Sequence, residues 1–294
     1  MHKRILFLFY LLYWIGANAQ NANPSAILYE KGQADFRVFT NIYYEYNKQQ
    51  KYCFNTTFLD FMAAVSGKFN AGLRIRYRNV VRLDDFQFTD AFRFEKQKLD
   101  SLANYKRHGL SGAEVLFRHK LGTNSAWIMQ HSIGIPMGNQ LEQHFDRGFL
   151  DWDGIILYSQ IFHNRNLGRF NYFLDFGIRI ENIQSASFST SKPHYTSFSV
   201  PISFLPGFFL TKQNYFYLLS QINPVLAHSV YESNAKSVSE IQNDLHIQLG
   251  IGYKLFCFSN WELEFISSWY KNQDKNAITL NLGVRRYFNR ILYY

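Results

Sequence analysis

Cysteine, proline and long apolar runs are all scarce in this chain of 294 residues. Two cysteines are too few for a disulfide scaffold, and six prolines leave nearly all of the sequence able to join hydrogen-bonded ladders. The longest sustained apolar run, residues 5–16, is too short to span a bilayer as a helix, and the mean hydropathy is −0.24. Long helical periodicity is missing as well. Lys and Arg (31) outnumber Asp and Glu (22) but form no cluster of the kind that grips a phosphate backbone, so no nucleic-acid partner is expected. His144 and Asp146 share one segment and His194 stands alone in another. That is not a recurrent ligand spacing, and neither a metal nor another cofactor is expected.

What the chain has in abundance is aromatic. Phe (29), Tyr (20) and Trp (5) make up 18% of it, a bias that favours strands and argues for a single all-β architecture. If such a chain crosses a membrane, it must do so as a closed barrel, because only closure satisfies every backbone group without helices. The amino terminus points to export. His2, Lys3 and Arg4 precede the apolar run, and Ala17-Asn18-Ala19 supplies small residues before Gln20, the pattern of a secretory signal peptide over residues 1–19. No cysteine follows the run, so lipoprotein processing is not indicated. Removing it takes away Lys3 and Arg4 and leaves 29 basic residues against 22 acidic, a net of +7. That excess suits weak attraction to acidic surfaces such as lipopolysaccharide or phospholipid headgroups.

Residues 20–34 carry little pattern and read as a short lead-in. From residue 35 onward, period-two alternation predicts strands over 35–47, 54–68, a third from Leu73, then 112–121, 127–136, 152–163, 170–181, 197–210, 215–226, 244–256, 261–270 and 276–288. In 170–181, Phe170, Tyr172, Leu174, Phe176, Ile178 and Ile180 share one face. Pro201 and Pro206 predict a bulge or kink in 197–210. Polar segments at 84–108, 137–150, 185–195 and 227–239 alternate with tight turns, and 84–108 is the largest.

The last strand sets Ile278, Leu280, Leu282 and Val284 against Thr279, Asn281, Gly283 and Arg285, then runs into Tyr287 and Phe288. Asn281, Gly283 and Phe288 occupy the first, third and eighth places of a polar-x-Gly-x-x-aromatic-x-aromatic pattern. This resembles the closing-strand signal of Gram-negative outer-membrane β-barrel proteins. Arg286 departs from it, standing where that family usually has an apolar or aromatic residue. The resemblance implies a transmembrane antiparallel up-and-down β-barrel of about twelve strands over residues 35–294, preceded by a periplasmic segment. It also implies residence among outer-membrane lipid and lipopolysaccharide, after insertion by the barrel assembly machinery. Both chain ends then lie on the tight-turn, periplasmic side. Trp127, Trp152, Trp261 and Trp269 are the expected aromatic girdle. Trp261 and Trp269 share a parity and lie roughly 20 Å apart along a tilted strand, near the height of an apolar band. A soluble sandwich or lipocalin-like barrel, the competing architecture, would instead bury the apolar parity.

The opposite parity is crowded with charge. It holds the acids Asp35, Glu45, Asp60, Glu114, Asp175, Glu181, Asp244, Glu262 and Glu264 and the bases Arg37, Arg74, Arg76, Arg78, Arg118, Lys120, Arg179, Lys254 and Arg285. Such a ladder is either a structural network filling a narrow barrel or the lining of a path for a small polar or anionic solute. A closed barrel presenting its loops to a partner is the alternative function. A lipid-modifying enzyme would need a Ser, a His and an orienting group together. His119, His131, Ser220 and Ser267 do not converge in this topology, so no catalytic residue is assigned. Cys53 and Cys257 fall near opposite barrel ends, beyond disulfide reach. The Asn55-Thr56-Thr57 sequon is not expected to carry a glycan in a bacterial protein.

Overall fold

In the computed structural model the chain is described over residues 28–46, 51–82, 106–122, 127–136, 152–185, 194–233, 236–257, 260–273 and 276–288. The signal peptide (1–19), residues 20–27, residues 83–105 of the large loop, and His144 and Asp146 lie outside these. So do the side chains of Glu45, Cys53, Trp152 and His194.

Thirteen strands form: β1 Ala34–Tyr46, β2 Lys51–Ser66, β3 Phe69–Arg82, β4 Lys106–Lys120, β5 Trp127–Pro136, β6 Trp152–Leu167, β7 Phe170–Ser185, β8 His194–Ser199, β9 Ile202–Phe209, β10 Asn214–Ser233, β11 Lys236–Cys257, β12 Trp261–Lys271 and β13 Asn276–Phe288. Each pairs antiparallel with its sequence neighbours, except that β8 and β9 stack end to end, and both pair with β7 on one side and β10 on the other. The wall therefore has twelve staves. β13 closes it on β1 over the whole strand, from Ala34 opposite Phe288 to Tyr46 opposite Asn276. Closure leaves no edge, and every strand meets a partner on both sides.

Alternation sorts the side chains. On β7, Phe170, Phe176, Ile178 and Ile180 are 41–48% exposed, whereas Asn171 and Phe173 on the other parity are buried. The same holds on β13, where Ile278 and Val284 face out and Asn281 and Arg285 are buried. A continuous outer belt of large apolar side chains is what a lipid-facing barrel presents, and it excludes the soluble alternative, which would bury that parity.

Three differences from the sequence pattern have physical causes. The stave expected at 197–210 begins earlier, at His194, and is broken at Val200-Pro201. Pro201 has no N–H to give the ladder, yet the break stays sewn: Gly177 N–H donates to the Pro201 carbonyl (2.8 Å) and Val200 N–H to that of Pro224 (3.1 Å). The segment 227–239, read as a loop, is mostly strand, and β10 and β11 form a long hairpin paired from Asn214–Leu255 to Ser233–Lys236. Beyond the lipid, the outer face no longer needs apolar residues, so the alternation fades while the backbone ladder continues. For the same reason β4 starts at Lys106, inside the segment expected to be the largest loop.

The residues just before β1 enter the barrel. Gln33 N–H donates to the Glu30 carbonyl (2.9 Å), closing a turn in which Gly32 holds a φ of 87°, the left-handed region that glycine occupies without strain. Ala64 N–H, near the end of β2, fastens the Gln33 carbonyl (3.0 Å). This turn aims Leu28 and Tyr29 into the mouth at the tight-turn end. Tyr29 is 1% exposed and packs with Met62, Leu116, Tyr217, Phe256 and Tyr287, while Leu28 packs against Ile128, Phe162 and Phe173. Two consecutive residues thus touch walls on different sides of the lumen. The mouth is stoppered.

Candidate functional site

Above the stopper the lumen wall carries the charges that alternation turns inward, and stagger between strands decides which of them meet. Arg285 on β13 reaches Asp35 on β1 (2.9 Å) and Glu262 on β12 (3.6 Å). Lys254 on β11 sits between Glu262 (3.0 Å) and Glu264 (3.1 Å). Tyr217 donates to Glu264 (2.7 Å), and Tyr287 donates to Glu262 (2.5 Å). On the other side of the closing seam, Arg37 and Arg74 share Asp60 (2.5 and 2.7 Å), and Arg74 and Arg76 share Glu114 (3.5 and 3.2 Å). Arg179 pairs with Glu181, which also accepts from Ser197 (3.2 Å). Asp244 pairs with His246 (3.0 Å) towards the long-loop end. Arg78 and Lys120 lie on the same inner parity as Arg76 and Arg118, Arg78 opposite Thr56 and Lys120 opposite Ile128.

Arg118 and Asp175 are kept apart. Arg118 donates through Nε (3.1 Å) and Nη2 (2.7 Å) to Gln130 Oε1, Gln130 Nε2 donates to Gln160 Oε1 (3.3 Å), and Gln160 Nε2 donates to Asp175 (3.1 Å). Neither glutamine was singled out by charge patterning, although both sit on the inner parity of their strands. The tyrosines Tyr29, Tyr158, Tyr217 and Tyr287 were missed likewise, because aromatic residues on both faces conceal which of them point inward.

Inward glycines make room for these long side chains to lie flat. A β-carbon on Gly252 would come within 2.1 Å of the Tyr217 ring, one on Gly112 within 2.7 Å of the Arg76 guanidinium, and one on Gly134 within 2.9 Å of Glu114. Gly252→Ala is therefore expected to displace Tyr217 from Glu264, at a cost of about 1–3 kcal/mol for overpacking. Heat-modifiable gel mobility should show a smaller folded fraction, and Tyr217→Ala in the same chain should restore part of it. An unchanged folded fraction would contradict the close packing.

Inward side chains line a cavity of about 210 Å³. Met62, Leu116, Phe162 and Phe173 line it together with Arg37, Arg74, Arg118 and Arg285 and with Asp35, Asp60 and Asp175.

The outer face holds a pair that the sequence reading did not name. His131 Nδ1 lies 2.9 Å from Ser159 Oγ, its register partner on β6, and the His119 ring stacks on His131 at 5.6 Å. Among the described residues no hydrogen bond orients the other nitrogen of His131, so the third member of a hydrolytic triad is missing. Ser220 and Ser267 lie on other strands, β10 and β12. Trp127 and Trp261 open β5 and β12 at the tight-turn end, and Trp269 lies near the far end of β12. Arg286, the departure in the closing pattern, places its guanidinium between the Trp261 ring (5.3 Å) and the Phe288 ring (5.2 Å), which lets a cation sit on the outer face. Asn281 and Gly283 face inward, opposite Asn41 and Phe39. Cys257 is a free thiol at the tight-turn end of β11, and Cys53 lies near the start of β2, at the long-loop end.

No family model and no curated protein matches the sequence. Solved structures do match the fold. An outer membrane channel from Pseudomonas putida F1 aligns with 89% of this chain and 97% of its own, at a TM-score of 0.60 and 9% identity. The β domain of the Bordetella autotransporter BrkA aligns with 88% of this chain and 100% of its own, at 0.52 and 10%. At such identities the likeness is one of fold: the chain is built as outer-membrane β-barrels are.

Proposed function

We propose that this chain is exported by its signal peptide, inserted into a bacterial outer membrane by the barrel assembly machinery, and serves there in the passage of small polar or anionic solutes. Outer-membrane lipid and lipopolysaccharide surround it, and residues 28–33 stopper its periplasmic mouth at rest. The observation that carries this reading is the contrast between wall and stopper. The wall is sealed by continuous strand pairing, whereas residues 28–33 add no stave to it. A stopper of that kind can leave without breaking the barrel. Similarity in fold to an outer membrane channel supports the reading.

The test is ion conductance across a planar bilayer in a chain whose stopper contacts are cut back by Leu28→Ala and Tyr29→Ala. Discrete conducting steps are expected, with a preference for anions that falls when Arg74, Arg76 and Arg78 all become Ala. Silence from well-folded protein would sink the passage reading and leave the closed barrel that meets a partner through its loops.

A further inference from the structure

Inside the barrel cations find carboxylates, as Arg74, Lys254 and Arg285 do at 2.7, 3.0 and 2.9 Å. The outer rim at the tight-turn end is different. Lys68 sits in the β2–β3 turn, Lys120 ends β4, Arg165 stands near the end of β6, Lys212 sits in the β9–β10 turn and Arg286 lies near the end of β13, and all five are exposed. None of them forms an ion pair among the described residues. The one exposed acid at this end among those residues, Glu30, is followed directly by Lys31 in the stopper turn. The β11–β12 turn carries no cation of its own, and it is there that Arg286 lies over Trp261. Each tight turn thus has a cation, and none has an acid to neutralise it.

Two or three residues from four of these cations stands an exposed apolar side chain: Val65 by Lys68, Leu167 by Arg165, Leu210 by Lys212 and Phe288 by Arg286. An apolar anchor beside a long cation suits the boundary between acyl chains and headgroups, with the stem among the first and the charge among the second. The Lys212 turn is also braced, since Gln213 and Asn214 donate their N–H groups to Thr211 Oγ1 (3.2 and 3.1 Å). Arg286 fixes the level. It faces outward on β13, with its guanidinium 5.3 Å from the Trp261 ring and 5.2 Å from the Phe288 ring. That places a cation at the depth of an aromatic girdle, where headgroups begin. The protein offers it no anion there among the described residues, so the lipid must. A dissolved anion would have no use for the apolar neighbours.

We propose that the tight-turn rim binds anionic glycerophospholipid of the periplasmic leaflet, with Arg286 over Trp261 as its best-formed seat. The lipid phosphates meet the cations, and the acyl chains lie against the exposed apolar residues. Several cations on one rim act together in such an attraction. This goes beyond the passage reading and does not depend on it, because a silent barrel would hold the same lipid.

The test uses the mature chain folded into vesicles of phosphatidylethanolamine and phosphatidylglycerol, with bromine on the acyl chains of one lipid or the other to quench nearby tryptophan. Three variants keep a single tryptophan each: Trp127 or Trp261 at the tight-turn end, or Trp269 near the far end of β12. Phosphatidylglycerol should be enriched about threefold around Trp127 and Trp261 and evenly mixed around Trp269. Salt at about 1 M, where screening acts within ~3 Å, should level the difference. Arg286→Gln should abolish the enrichment at Trp261 and leave that at Trp127. Even mixing at Trp261, or equal enrichment at Trp269, would overturn the proposal. Should the single-tryptophan chains fold poorly, the unaltered chain still decides: its total fluorescence should show a preference for phosphatidylglycerol that salt removes, and no preference, or one that salt leaves untouched, would overturn the rim.

Discussion

Replacing both Leu28 and Tyr29 by alanine is expected to raise the ion conductance of the reconstituted barrel roughly a hundredfold, by shifting it from stoppered to open. The magnitude follows from what the two side chains bury. Tyr29 is 1% exposed and belongs to a buried cluster with residues of β2, β4, β10, β11 and β13, while Leu28 packs against a cluster from β5, β6 and β7. Truncating a large buried side chain costs about 2–5 kcal/mol. An open state that never used these contacts loses nothing, so the whole cost falls on the stoppered state, and about 1.4 kcal/mol is already a factor of ten. The wall should be untouched, because its ladder includes neither residue. Conductance in bilayers and leakage from vesicles would both report the change. A double variant that folds and stays as silent as the wild type would mean that the mouth is closed by the wall residues themselves.

The second large effect belongs to Glu262. Its side chain is 2% exposed and answers Lys254, Tyr287 and Arg285 together. Glu262→Ala strands two cations, with side chains 3% and 7% exposed, in a space that Glu264 and Asp35 alone must then neutralise. Breaking a buried pair in this way costs about 3–5 kcal/mol. Arg37→Gln is the contrast. Arg37 is more exposed, at 21%, and Asp60 keeps Arg74, so the loss should stay within about 1 kcal/mol. Urea unfolding of the two variants in detergent micelles, followed by tryptophan fluorescence, measures the difference. Equal losses would mean that water reaches Glu262 as readily as Arg37, and that the lumen is wet down to the stopper.

Much of this was legible from one residue in two. The parity that placed Phe176 and Ile178 outside placed Asp175 and Arg179 inside, and it did so along every strand without knowledge of any partner. The kink at Pro201 was foreseeable from a missing N–H. Its consequence, two short strands sewn to the same neighbours, was not. The stopper was invisible, because residues 28–33 carry no period and act through apolar clusters drawn from at least eight strands.

Taken by itself, the sequence determined the architecture: about twelve staves, the facing of the aliphatic side chains that alternate along them, and the seam at β13. These follow from local rules, since alternation and turn chemistry act within a dozen residues. Only the tertiary structure decided which charges meet. Pairing depends on the stagger between strands, and stagger is set by closure of the whole wall. It joined Arg285 to Asp35 across 250 positions, put two glutamines between Arg118 and Asp175, and folded a patternless segment back into the mouth.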